Sequence, residues 1–184
     1  KTIIKDQNNL NLYDSCEKVT ETIEQKTPLI IAVEKGNFEV VQLLLSRPNI
    51  DINFEASYQN GQKYNLTNKK CEYKTALIIA FENELPDICK LLCSSPNINL
   101  NSKLIKINYC LRGYFNMSSD EVQKTYQKTE EKDLLIMAIE KGYSNFVQYL
   151  LSRNHINPNS KFIKRVNFDF TETDVEEKTA LMIA

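Results

Sequence analysis

Apolar residues in this chain come in short bursts with helical spacing, separated by polar turns and by longer segments of alternating character. Leu29, Ala32 and Val33 fall on one face of a helix. Thr27 is a candidate N-cap, and Pro28 sits at the first helical position, where its missing N–H costs nothing. Gly36 supplies the turn that ends this helix. A second helix is predicted over roughly Phe38 to Ser46, with Val40, Val41, Leu43 and Leu44 apolar. Neither helix is long enough to stand alone, so burial against a neighbouring pair must supply the stability. The pair ends in Asn49, Ile50, Asp51, Ile52 and Asn53, a polar stretch rich in turn formers.

The same pattern returns. The block Lys26 to Asn53 recurs as Lys74 to Asn101 and as Lys132 to Asn159, and its opening recurs as Lys178 to Ala184. Leu29, Leu77, Leu135 and Leu181 are equivalent, so the steps are 48, 58 and 46 residues. Each step holds a constant block and a variable remainder: residues 54–73, 102–131 and 160–177. Gly142 takes the place of Gly36 in the third block, but Glu84 holds it in the second, which predicts a turn made differently there. A repeated unit of this size stacks on its neighbours, and a stack presents a surface rather than a catalytic centre.

On these residues the blocks resemble ankyrin repeats. Thr27, Pro28, Leu29, Ala32 and Gly36 match the family's opening, Val40 to Leu45 its second helix, and Ile50 to Asn53 its end. The resemblance covers three blocks and part of a fourth, roughly half the residues. The chain departs from the family in having Ile30, Ile78, Ile136 and Met182 where the family has His, and Asp133 where it has Thr. Every step is also longer than the family's period of about 33 residues. The extra length falls where the family has its β-hairpin finger. The resemblance therefore implies a mainly α solenoid of stacked helix–turn–helix pairs carrying extended β-hairpin or loop insertions. Its units are residues 1–25 (the end of a preceding finger), 26–73, 74–131 and 132–177 (three repeats with their fingers), and 178–184 (the start of another). A chain that opens on Lys1 and stops at Ala184, inside a first-helix pattern, is expected to be part of a longer array.

The fingers have their own pattern. Ile107, Tyr109 and Leu111 alternate with polar or small residues, as do Val166, Phe168 and Phe170, which is strand spacing. A one-residue adjustment aligns Ile107 with Val166, and Ile3 and Ile4 resemble the same element. Asn60 and Gly61 suggest a hairpin turn in the first finger. In the second, Ser118 to Glu121 form a capping box that predicts a helix from about Ser119 to Lys128. The apolar face reads as finger packing on finger, and Tyr58, Lys63, Tyr64, Arg112, Tyr114 and Phe115 read as outward contact residues at the tips.

Charge recurs in step with the blocks. Glu24 and Lys26, Glu72 and Lys74, Glu130 and Lys132, and Glu176 and Lys178 precede the four first helices. A second ladder follows them: Glu34 with Lys35, Glu82 with Asn83, and Glu140 with Lys141. The resemblance places these six residues on the concave face, where the family touches its partners.

Composition excludes several classes. With 23 basic and 24 acidic residues and no basic stripe, a nucleic-acid partner is not expected. No apolar run approaches a membrane span, so a membrane partner is not expected either. Cysteines 16, 71, 89, 93 and 110 lack a framework spacing, which suits a reducing, cytoplasmic setting. Cys89 and Cys93 stand where other blocks carry Val and Leu, and read as core. A single histidine, His155, and four glycines leave no phosphate loop, metal set or general base, so neither enzyme activity nor a cofactor is expected. The function implied is a non-enzymatic scaffold that binds other proteins through its concave face and fingers, in the cytoplasm or on the cytoskeleton. The alternatives are a structural component of a cytoskeletal or flagellar assembly and the regulatory arm of a longer enzyme or channel.

Overall fold

The computed structural model describes residues 20–62, 65–112, 124–168 and 171–183. Strand β1 (Thr20–Gln25) leads into helices α1 (Pro28–Glu34) and α2 (Phe38–Leu45). Strands β2 (Ala56–Gln62) and β3 (Asn65–Lys74) precede α3 (Ala76–Glu82) and α4 (Pro86–Cys93). Strands β4 (Lys103–Arg112) and β5 (Lys124–Asp133) precede α5 (Leu134–Glu140) and α6 (Ser144–Leu151). Strands β6 (Lys161–Phe168) and β7 (Thr171–Thr179) precede α7 (Ala180–Ile183).

Each first helix starts the same way. The Thr27 hydroxyl accepts from the Ile30 N–H at 3.3 Å and the Thr75 hydroxyl from the Ile78 N–H at 3.5 Å. In the third block the Asp133 carboxylate replaces the hydroxyl and accepts from the Ile136 N–H at 2.9 Å. The helices also end alike. The N–H groups of Asn37, Leu85 and Tyr143 donate to the carbonyls of Ala32, Ala80 and Ala138, each at 3.0 Å, a six-to-one closure that needs a left-handed residue just before it. Gly36 and Gly142 take that conformation at φ 64° and 70°, and Glu84 takes it at φ 57°. The turn at Glu84 is therefore not made differently, as the missing glycine suggests. It has the same geometry, at a steric cost of about 1–2 kcal/mol for a residue with a Cβ.

The core is a ribbon. Leu29, Leu77 and Leu135 are buried, as are Ile30, Ile78 and Ile136 in the position where the family has His. Ala32, Ala80 and Ala138, also buried, let the helices approach. Helix α1 packs on α3, and α2 packs on α4. A second inter-repeat tie lies at the block ends. Asn53 donates from Nδ2 to the Asn97 carbonyl at 2.7 Å and accepts from the Asn99 N–H at 2.8 Å. One block later, Asn101 does the same to His155 and Asn157, at 2.8 and 3.5 Å.

The expectation of a mainly α solenoid is wrong. Among the described residues, seven antiparallel strands form one sheet in chain order, and strand and helix are present in about equal measure. The long insertions are sheet because neighbouring fingers pair with each other, β3 with β4 and β5 with β6, as well as within themselves. A lone two-stranded arm is marginal in water, so lateral pairing supplies what each finger lacks. The helix expected from Ser119 to Lys128 is overturned over its second half. Residues 124–128 are strand, each paired with a residue of β4 from Arg112 back to Asn108; residues 113–123 lie outside the described residues. Long-range pairing here overrides a local i,i+4 pattern. Asn60 and Gly61 are not the turn either. Strand β2 runs through both, with a register shift between Asn60 and Gln62. Gly61 eases a close approach, since a Cβ there would lie 3.3 Å from the Lys69 Cα. The one-residue alignment of Ile107 with Val166 also fails. Through β5, Ile107 shares a row with Arg165, and Val166 with Asn108. A one-residue slip exchanges the two faces.

Leu92 is fully buried between helices, whereas its counterpart Leu44 is only partly so. Leu92→Ala is expected to lower the unfolding free energy by roughly 2–5 kcal/mol, and Leu44→Ala by less. Asn101→Ala, which removes both bonds to the next block, is expected to cost about 1–2 kcal/mol. Urea denaturation followed by circular dichroism measures all three.

Candidate interaction surface

The sheet register gathers the recurring charges into one line. Glu24 faces Tyr58, Tyr58 faces Glu72, and Glu72 faces Lys106. Lys106 faces Glu130, Glu130 faces Lys164, and Lys164 faces Glu176. A single row thus crosses all seven strands with acids at every other place. Directly opposed unlike charges stabilise a sheet, and like charges would not.

Two residues further along the strands stand the lysines of the recurring signature, which tie the sheet to the first helices. Lys26 Nζ lies 2.6 Å from Glu24 and 2.9 Å from Glu34. Lys74 lies 3.0 Å from Glu72 and 2.8 Å from Glu82, and Lys132 lies 2.7 Å from Glu140. The fixed eight-residue separation of each Lys from its helix Glu was visible in the sequence, but not what it joins. Burial opposes the charge on Lys74, yet the carboxylates of Glu82 and Glu72 outweigh it and hold its pKa above the ordinary value. Burial opposes the charge on Lys26 as well, and Glu24 and Glu34 outweigh it and raise its pKa.

The sheet face bearing this row and the C-terminal ends of the first helices enclose a re-entrant corner. Between the second and third blocks it deepens into a groove of about 300 Å³. Its charged lining is Glu82, Lys106, Glu130, Lys132, Glu140 and Lys141, and its apolar lining is Leu104 and Met137. Lys106 stands 3.9 Å from both Glu72 and Glu82. Within reach of two carboxylates and close to neither, it is the cation at this corner held least tightly by its neighbours.

The residues singled out from the sequence fall into three groups. Glu34, Glu82 and Glu140 reach the corner but are engaged by Lys26, Lys74 and Lys132, while Lys35 and Asn83 are exposed at the helix ends. Lys141 binds Glu84 of the preceding block at 3.2 Å. Tyr58 is not at a finger tip. It lies at the finger's base, its hydroxyl donating to Glu34 and its ring between Lys26 at 4.7 Å and Lys74 at 5.0 Å. Burial, then the Glu34 carboxylate, drives its pKa far above the ordinary phenol value. Arg112 ends β4, opposite Lys124. Lys63, Tyr64, Tyr114 and Phe115 lie outside the described residues, as do Ile3 and Ile4.

The other sheet face has a smaller ionic cluster. Glu131 of β5 takes Arg165 of β6 and, at 3.1 Å, Lys103 of β4. Burial works to raise its pKa, but these two cations overcome it and leave it below the ordinary value. Lys128, against a smaller burial effect, lowers Glu130 likewise. The buried thiols of Cys89 and Cys93 are pushed up by burial to about 12 and about 11, which leaves them unreactive at neutral pH. Among the described residues no group of three or more His, Cys, Asp or Glu side chains could hold a metal ion.

Comparison with known proteins agrees with the geometry. The family model described as ankyrin repeats (3 copies) matches residues 6–104. The third block lies beyond that match but repeats its cap, its left-handed turn and its asparagine contact. No curated protein and no solved structure matches the chain.

Two outcomes follow from the ionic joint. Glu130 and Glu131 have folded-state pKa values below 4.5, so their contribution is present above that pH and is lost as pH falls through the lowered values. Lys26 and Lys74 have values above 10.5, so theirs is present below that pH and is lost as pH rises through the raised values. Thermal melts across pH are expected to show a plateau between these limits, and Glu131→Gln is expected to lower it and flatten its acid side. Tyr58→Phe, which loses only the bond to Glu34, is expected to cost about 1–2 kcal/mol in urea denaturation.

Proposed function

The chain belongs to the ankyrin repeat family, and we propose that it is a non-enzymatic scaffold that takes a protein partner at the corner between its sheet and its first helices. Ankyrin repeats generally mediate protein–protein interaction and the family is typically non-enzymatic. The observation that carries the finer reading is the groove at the second and third blocks, where charges of both signs surround Leu104 and Met137. An extended segment with an apolar side chain and flanking charges suits that lining.

The corner is pre-organised. The lysine ties fix the angle between sheet and helix before any partner arrives, so little ordering remains for binding to oppose. The glutamates already engaged by lysine contribute mainly by holding the corner. Lys106 and Lys35 present charge outward, where partner contacts steer association and weaken with salt, whereas Lys141 is held by Glu84.

Affinity capture with the intact chain, followed by mass spectrometry, identifies the partner. Against it, Lys106→Glu is expected to reduce binding by at least about tenfold, with the loss deepening at low salt, and Lys35→Glu by less. Circular dichroism is expected to stay unchanged for Lys35→Glu. Lys106→Glu sets three acids side by side in the sheet row, so its binding is compared at a temperature where a melt shows it folded, with Lys106→Gln as the neutral control. Unimpaired binding by Lys106→Glu would move the interface away from this corner. A turnover reaction that one such substitution abolished in a folded chain would replace the scaffold reading with an enzymatic one.

A further inference from the structure

The second helices do not stack evenly. Helix α2 packs on α4, but α4 and α6 stand further apart, as do α3 and α5. The gap between α4 and α6 is a groove of about 650 Å³, separate from the groove at the corner and opening on the second helices, with Phe81 of α3 at its wall. Its lining is apolar and aromatic. The ring of Phe81 stacks on Phe146 with centres 5.4 Å apart, Phe146 stacks on Tyr149 at 6.0 Å, and the buried Cys89 and Cys93 complete the wall. In register, Phe81, Phe146 and Tyr149 replace Val33, Val40 and Leu43 of the first block. Larger side chains at one junction hold its helices apart.

Both ends of the groove are bridged. At the turn end, Glu84 accepts from the Lys141 ammonium and the Tyr143 hydroxyl, each at 3.2 Å. At the other end, the Tyr149 hydroxyl donates to the Cys93 carbonyl at 3.3 Å and accepts from Arg153 at 2.9 Å. Local rules are broken at the same place. Glu84 holds a left-handed turn that glycine holds elsewhere. Leu85 and Tyr143 stand at the N-caps of α4 and α6 without capping them, whereas Asn37 caps α2 with its side chain. Glu84, Leu85 and Tyr143 all line the groove. Sequences break such rules where another demand outweighs local stability.

Size and charge define the occupant. The volume suits a small molecule, for which pockets run about 300–1,000 Å³. The Arg153 guanidinium lies over the Tyr149 ring at 4.7 Å and has no carboxylate partner among the described residues. Lys90 stands at the same groove, 3.9 Å from an Asp87 that is itself exposed. We propose that this groove binds a small amphipathic anion, with its apolar body among the aromatic rings and thiols and its carboxylate at Arg153 and Lys90. The site opens on the second helices rather than on the sheet, and meets the protein-binding corner at α3 and at Lys141, which bridges to Glu84.

Isothermal titration calorimetry of the whole chain with decanoate tests this, with decanol and decyltrimethylammonium as neutral and cationic comparators. One saturable site for decanoate is expected, with both comparators weaker by about tenfold or more. Arg153→Gln is expected to weaken decanoate by about tenfold, and Lys90→Gln, at an exposed position, by less. Asn145→Trp, at an exposed position lining the groove, is expected to abolish binding with an unchanged circular dichroism spectrum. Absence of saturable decanoate binding overturns the proposal, as does equal binding of the three probes or binding that survives Asn145→Trp. Uptake of an acidic, apolar peptide in place of decanoate also overturns it, in favour of a protein partner at this groove.

Discussion

No helix among the described residues is longer than eight residues, and helices below about 12–15 residues are marginal alone in water. The rest of the structure answers that constraint. Each helix must be covered by the next, so Leu29, Leu77 and Leu135 and the isoleucines beside them are turned inward and buried. The sheet obeys the same logic. Arms such as β4 and β5, ten residues each, gain their partners sideways from the neighbouring fingers. Helical half and sheet half are both laterally dependent, so the stack stands or falls by its junctions rather than by its repeats.

The two halves must then be held to each other, and the chain does this with a small number of polar side chains. Lys26, Lys74 and Lys132 each reach a carboxylate at the end of the following first helix. Exposed ion pairs are worth about 0–1 kcal/mol, too little to explain the fold. These are partly buried, repeat once per block and sit at one geometric joint, so their effect is on the angle more than on the free energy. Buried hydroxyls reinforce the joint at one block: Thr75 donates to Ser102 at 3.2 Å while its oxygen caps α3. The surface proposed for the partner is the inside of that angle.

Much of this was legible in the sequence. The block register, the Thr27 cap, the Gly36 turn and the shared buried face of Leu29, Ala32 and Val33 follow from local chemistry that acts over four or five residues, and the structure places them as read, whereas Val40 and Leu43 of the second helix are exposed. The extent of sheet was not legible, because a strand's partner here lies in another finger 32 to 42 residues away. The helix read at Ser119 to Lys128 failed for that reason: the capping pattern is local and the pairing that defeats it over residues 124–128 is not. Tyr58 was misplaced at a tip because its role depends on Glu34 and Lys26, which only the register of β1 against β2 brings beside it. The lysine ties were half legible. Their recurrence was visible, but not that each closes a bridge.

The irregularities are not spread evenly, and their location is informative. In a stack with nearest-neighbour coupling, a change at one junction is felt there and hardly elsewhere. The junction of the second and third blocks carries the non-glycine turn at Glu84, the uncapped helix starts at Leu85 and Tyr143, and the enlarged side chains at Phe81, Phe146 and Tyr149. The same junction is open on both sides, as a charged groove against the sheet and an apolar one between the second helices. Had these departures been drift, they would weaken the stack with no return. Instead the side chains at the departures bridge the gap they create, Glu84 to Lys141 and Tyr143, and Tyr149 to Cys93. A gap that is widened and then braced is held open, and in a repeat protein a junction held open is where specificity can be added without disturbing the regular blocks on which folding depends.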